Sequence, residues 1–114
     1  MTRGNGIKER SDLLQGTLDL LILRTLQRGK LHGFAITESI SVTSREALLV
    51  KEGSLYPALH RLEKRGFIEA EWGLSENNRR AKYYKLTRKG KTHLNSEVEY
   101  WSRFVSAVQG VLEG

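Results

Sequence analysis

The chain has no cysteine. Disulfides and cysteine-based metal sites are therefore excluded, and the composition suits a reducing cytoplasm. No stretch approaches the roughly 20 apolar residues that a membrane-spanning helix needs. The first dozen residues are polar and hold no apolar run, so no signal peptide is expected. His32, His60 and His93 lie far apart and lack a spaced carboxylate pair, so no metal site is expected from them. Nucleophile–base pairs and phosphate-cradling glycine loops are missing as well. The chain therefore reads as a non-enzyme without a cofactor. The last shortage is local. Residues 79–91 hold Arg79, Arg80, Lys82, Lys85, Arg88, Lys89 and Lys91, seven cations and no acid, or +7.

That segment carries more charge than the net +6 of the whole 114-residue chain, whose pI is about 9.8. Solubility alone does not require such concentration; it points to a polyanionic partner. The length suits one folded unit. With 39% hydrophobic residues the chain can bury a modest core, and units of this size are often stabilised by a partner.

Residues 51–66, KEGSLYPALHRLEKRG, read as a recognition helix. Leu55, Leu59 and Leu62, spaced four then three, form one apolar stripe. The other face holds Ser54, Tyr56, Pro57, His60, Arg61 and Lys64, with no acid. Gly53 or Ser54 is the expected N-cap, which places Pro57 in the first turn, where its missing N–H is harmless. Gly66 is the expected C′ residue, preceded by Lys64 and Arg65, whose charges suit a helix C-terminus. An apolar back with a basic, hydroxyl-bearing front fits a major groove. An ordinary amphipathic surface helix is the alternative, and Tyr56 can equally be read as a half-buried aromatic against a neighbouring hairpin.

Residues 1–11 are expected to be a loose arm, with Ser11 or Asp12 capping a helix over 13–28. That helix carries Leu13, Leu14, Leu18, Leu20, Leu21, Ile22, Leu23 and Leu26 around most of its circumference. It is therefore buried on several sides, in part against the C-terminal helix of its own or another chain. Gly29 ends it. A second helix is expected over 33–40, then a polar turn over 42–45 and a small strand over 47–50. Two helices joined by a short turn make a helix-turn-helix. After Gly66 the period becomes two: Ile68, Ala70 and Trp72 alternate with Glu69 and Glu71. A second strand is expected over 81–87, and the polar stretch 73–80 makes a long hairpin tip. A hairpin in this position is a wing, able to follow phosphates or enter the minor groove. Thr87 is a good cap for a last helix over 88–112. There Leu94, Val98, Trp101, Val105, Val108 and Leu112 make a heptad seam, flanked by Tyr100, Phe104, Ala107 and Val111. One stripe is expected to dock on the first helix and the other on a second subunit. The fold is thus mainly α with a small β-hairpin: a winged helix-turn-helix over 1–87 plus a C-terminal dimerisation helix over 88–114.

The stretches LLQGTLDLLILRTL, LHGFAI, EGSLYPALHRLEKRGFI and NNRRAKYYKLTRKG, in this order and spacing, resemble the PadR family of bacterial transcriptional regulators. The resemblance covers roughly residues 13–92, and a single helix after the wing is similar to the shorter branch. It implies a winged-helix dimer in which each C-terminal helix embraces the partner's first helix. It implies a promoter-binding protein, in most members a repressor, released by a small effector. On this resemblance Ser54, Tyr56 and Pro57 match the groove-facing start of the recognition helix, Lys64 a phosphate-facing side, and Asn78, Arg79, Arg80 and Lys82 the wing. Trp101 resembles the aromatic that holds a planar apolar effector between two subunits, although its place on the seam also suits plain interface packing. Many members carry Tyr after the His–Gly pair; this chain has Phe34, which offers no hydroxyl.

The expected partners are double-stranded DNA, a second copy of the chain and a small planar effector, in the cytoplasm and without a membrane. Base contacts are expected from Ser54, Tyr56 and Arg61, the last to a guanine edge. The rival reading is a winged-helix module whose cations bind a protein or an anionic membrane surface.

Overall fold

The computed structural model describes the backbone of residues 11–114 and side chains from residue 17 onward. Residues 1–10 of the expected arm and the side chains of Ser11, Asp12, Leu13 and Leu14 lie outside the described residues; the backbone of Ser11 and Asp12 is already helical. The elements run α1 (Ser11–Leu26), β1 (Leu31–His32), α2 (Gly33–Thr43), α3 (Glu52–Lys64), β2 (Ile68–Leu74), β3 (Arg80–Leu86) and α4 (Arg88–Glu113). The mainly α fold with a winged helix-turn-helix and a C-terminal helix is as the sequence predicts.

Helix α1 is central, touching α2, α3, α4 and β3. Its Ile22, Leu23 and Leu26 are buried, while Leu20 and Leu21 are partly covered. Against it pack Ile36 and Ile40 of α2 and Leu55, Ala58, Leu59 and Leu62 of α3, with Phe67, Ile68, Tyr84 and Leu94 closing the core. The predicted apolar stripe of α3 is thus its inward face, with Ala58 completing it.

Three local expectations change. No strand forms over 47–50, because that segment pairs with nothing; Leu48 and Val50 instead pack on the core edge. Helix α2 runs on through Val42 and Thr43, which were expected in a turn. The chain then reverses at Ser44, whose hydroxyl accepts the Leu48 N–H, and at Arg45 and Glu46, both with positive φ. Helix α3 begins at Glu52 with Lys51 as its cap, so neither Gly53 nor Ser54 caps it. The Lys51 carbonyl accepts the N–H groups of both Ser54 and Leu55, which starts the first turn early. Pro57 consequently lies in the second turn. Its missing N–H deprives the Gly53 carbonyl of its usual helical donor, which exposed Gly53 can replace with water.

At the other end of α3 the Gly66 expectation holds. Gly66 has φ +81°, Phe67 N–H donates to Leu62 O at 3.0 Å and Gly66 N–H to Glu63 O at 3.0 Å, a Schellman motif. The sheet has three antiparallel strands in the order β1-β3-β2. The third strand, β1, is two residues long, too short for its alternation to be read from sequence. The hairpin tip is tighter than expected: Gly73, Leu74 and Arg80 belong to the ladder, and Ser75 N–H closes the turn onto Arg79 O at 2.8 Å. Thr87 caps α4 as predicted, accepting from Gly90 N–H at 3.0 Å and donating to Gly66 O at 2.7 Å.

Helix α4 departs most from expectation. Leu94 is 1% exposed and belongs to the chain's own core, so it does not serve as an outward seam residue. Helices α1 and α4 are in contact, as expected. Val98, Trp101, Val105, Val108 and Leu112 are all exposed, as are Tyr100, Phe104 and Val111. The reason is reach: a 26-residue helix is about 39 Å long and only its first turns lie over the domain.

Candidate nucleic-acid interface

The front of α3 is built by its back. Burying Leu55, Ala58, Leu59 and Leu62 turns Ser54, Tyr56, Pro57, His60 and Lys64 outward, where all are exposed. The Ser54 hydroxyl makes no capping bond, since Lys51 took that position. Arg61 is different. Its guanidinium donates to the Asp19 carboxylate of α1 at 3.0 Å, a half-buried pair that ties α3 to the core. The base contact expected of Arg61 would compete with that pair.

Tyr56 is 46% exposed, and its ring covers Gly33 so closely that a Cβ on residue 33 would meet the phenol oxygen at 2.5 Å. The His32–Gly33 pair thereby acquires a physical role. His32 Nδ1 accepts the Ala35 N–H at 3.3 Å and caps α2, its ring lies 5.4 Å from that of Tyr83, and Gly33 leaves room for Tyr56. Tyr56 is thus braced by the start of α2 and remains half open beside the hairpin.

The wing carries its charges on two faces. Glu69 faces Lys85 at 3.7 Å, and Lys30 donates to Glu71 at 2.7 Å. That hydrogen bond, with the attraction behind it, holds the Glu71 carboxyl below the usual carboxylate range and the Lys30 ammonium above the usual lysine range. The acids of β2 are therefore neutralised on one face. On the other face Trp72 pairs across the ladder with Lys82, and Leu74 with Arg80. This face overlooks an open cleft of about 580 Å³ between the wing, the start of α2 and α3, lined by His32, Phe34, Tyr56, Trp72, Arg80, Lys82 and neighbouring backbone. No lining residue is acidic. Lys82 also leans toward Glu63 at 3.9 Å. Burial pushes the Tyr84 phenol up, with Glu63 adding to the shift.

The fold therefore brings Tyr56, Arg80 and Lys82 to one cleft, leaves Ser54, Pro57 and Lys64 exposed along α3, and puts Asn78 and Arg79 at the hairpin tip. Asn78 has φ +61°, the left-handed conformation that asparagine tolerates in tight turns. Sequence reasoning missed Phe34 and Trp72, both strongly exposed. Alternation places Trp72 on the same face of β2 as Ile68 and Ala70, without saying how far the core extends along it. The missing signal was register, since Trp72 lies past the last core residue of the strand. Among the described residues no cluster of acid, histidine or cysteine side chains could hold a metal ion, and no helix is long and apolar enough to cross a membrane.

Three comparisons bear on this surface. The family model described as the transcriptional regulator PadR-like family matches residues 22–96. An uncharacterised protein of Lysinibacillus sphaericus is 34% identical over 105 residues, covering 92% of this chain and 96% of that protein. Among solved structures, a transcriptional regulator from Clostridium thermocellum is 31% identical with a TM-score of 0.79, covering 87% of this chain and 96% of its own. A PadR-like transcriptional regulator from Bacillus cereus is 28% identical with a TM-score of 0.78, covering 90% and 98%.

Proposed function

Because the chain belongs to the PadR-like family of transcriptional regulators, we propose that it acts in the cytoplasm as a homodimer, binds a pseudo-palindromic DNA site and represses the promoter it covers. The observation that carries this reading is the acid-free cleft joining Tyr56 of α3 to Arg80 and Lys82 of the wing. A surface serving only solubility would not gather cations and exposed aromatics around a shared concavity.

In this reading residues 1–87 form the reading head and residues 88–114 the dimerisation helix. Ser54, Tyr56 and Pro57 meet base edges and thymine methyls in the major groove. Lys64 and the wing residues Asn78, Arg79, Arg80 and Lys82 meet the backbone and the adjacent minor groove, supplying most of the affinity and its salt dependence. Arg61 is a weaker candidate for base contact, being held by Asp19. The bare stripe Val98, Trp101, Val105, Val108 and Leu112 supports a two-fold partner, since so long an apolar face is unfavourable in water. Two heads held this way reach successive major grooves about 34 Å apart. Trp101, whose ring lies 5.8 Å from that of Phe104, is the candidate contact for a planar apolar effector between the two helices. Binding there releases DNA by changing the separation of the heads.

The deciding experiment is to sequence chromosomal fragments retained by the purified protein. The expected result is one recurring inverted repeat with half-sites a helical turn apart, upstream of a coding region. Retention of bulk DNA without a shared motif would sink the reading.

A further inference from the structure

Arg79 and Arg80 adjoin in sequence and part company in the fold. Among the described residues, the Arg79 side chain has neither an acidic partner nor a ring beneath it. Arg80 lies over Trp72, its guanidinium carbon 4.4 Å from the ring centroid. The ladder explains the pairing. With Trp72 opposite Lys82 and Leu74 opposite Arg80, all these side chains leave one face of the hairpin, and Arg80 is the diagonal neighbour of Trp72. Trp72 is 59% exposed, so it forfeits much of the burial that usually justifies an indole. Lys82, the cleft's other cation, also approaches Glu63, whereas Arg80 has no acidic partner among the described residues.

We propose that Trp72 is a positioning residue: its indole face holds the Arg80 guanidinium flat and aimed at the duplex before DNA arrives, so that Arg80 reads a groove while Arg79 takes phosphate. This rests on the DNA-binding reading above. An arginine stacked on a ring keeps its N–H donors directed outward in its own plane. It also loses less rotamer freedom on contact than a free one such as Arg79. The narrow minor groove beside a recognition helix is where such a planar cation is best placed.

The test has two arms. In the free protein, NMR should show Arg80 side-chain resonances displaced by the ring current of Trp72, and the displacement should vanish in Trp72→Leu. Affinity is then measured for a genomic duplex fragment selected by the wild-type protein. Trp72→Leu should weaken binding about three- to tenfold, with an unchanged salt slope because no cation is removed. Trp72→Tyr should restore most of the affinity, and Trp72→Leu should cost nothing further in an Arg80→Ala background. Equal losses with and without Arg80 would overturn the proposal, as would undisplaced Arg80 resonances. Normal binding by Trp72→Leu defeats this inference alone; a wild-type protein that binds no duplex defeats the DNA reading as well.

Discussion

The backbone carbonyl of Phe67 faces the α-carbon of Gly90, so near that a methyl group on residue 90 would overlap both the oxygen and its carbon. That oxygen also accepts the Thr87 N–H at 3.1 Å, which keeps it from turning away. The close approach joins the start of α4 to the base of the wing.

Gly90→Ala should therefore destabilise the protein. Alanine gains about 1 kcal/mol of helix propensity over glycine, but overlap with immovable backbone costs about 2–3 kcal/mol or more. The clash should win. Gly110→Ala is the control: nothing lies within 4 Å of its Cβ position, so propensity acts alone and stability should rise. Thermal unfolding of both variants checks the signs, and a stabilised Gly90→Ala would refute the close approach.

Leu94 and Val105 should respond differently to charge. Leu94→Asp buries an uncompensated carboxylate in the core and should cost about 4 kcal/mol or more. Val105→Asp alters a position that is exposed in the single chain, so the domain should stay folded while self-association fails. Circular dichroism with sedimentation separates the outcomes. A Val105→Asp protein that still dimerises would remove α4 as the interface.

Arg61→Ala should act mainly on stability, by removing the Asp19 pair. Because the pair is only half-buried, the cost should be about 1 kcal/mol or less. Its effect on DNA affinity should be smaller than that of Lys64→Ala, measured side by side by fluorescence anisotropy. The reverse ranking would mean that Arg61 leaves Asp19 for a base.

Replacing Arg79 and Arg80 together with Ala should flatten the plot of log K against log salt by roughly 0.9 for every phosphate that the wing no longer neutralises. An unchanged slope would take the wing out of phosphate binding.

Alkaline pH should weaken the fold through Tyr84 and Lys30. Both groups bind their proton more tightly in the folded protein than their ordinary values of 10.0 and 10.5 allow, Tyr84 through burial and Lys30 through Glu71. A raised folded pKa gives stability that is complete below the unfolded value and lost as pH rises through the folded one. Stability should thus fall above about pH 10, and Tyr84→Phe should make the fall shallower in urea titrations followed against pH. An identical slope in Tyr84→Phe would assign the fall to other groups.

Much of the site could be read along the chain because its signals are local. The stripe Leu55, Leu59 and Leu62 implies the outward face of Ser54, Tyr56 and Lys64 by helical period alone. Thr87 and Gly66 announce helix ends by their own chemistry. The cation run from Arg79 to Lys91 needs no fold to be seen. The misjudged positions depend on distant partners. Whether residues 47–50 become a strand depends on a free sheet edge. Arg61 is claimed by Asp19, 42 residues away, and Leu94 is drawn inward by the core it closes.

The sequence by itself determined the order of helices and hairpin, the acid-free run of cations over residues 79–91 and the apolar length of α4, since periodicity and charge are properties of neighbouring residues. Only the tertiary structure decided that Tyr56, Trp72, Arg80 and Lys82 share one cleft, that Arg80 lies over Trp72 while Arg79 does not, and that the exposed apolar stripe of α4 begins after Leu94. Those are relations between segments, set by strand register and by where the core runs out of surface to cover. One-dimensional patterns do not encode how far apart two faces come to rest.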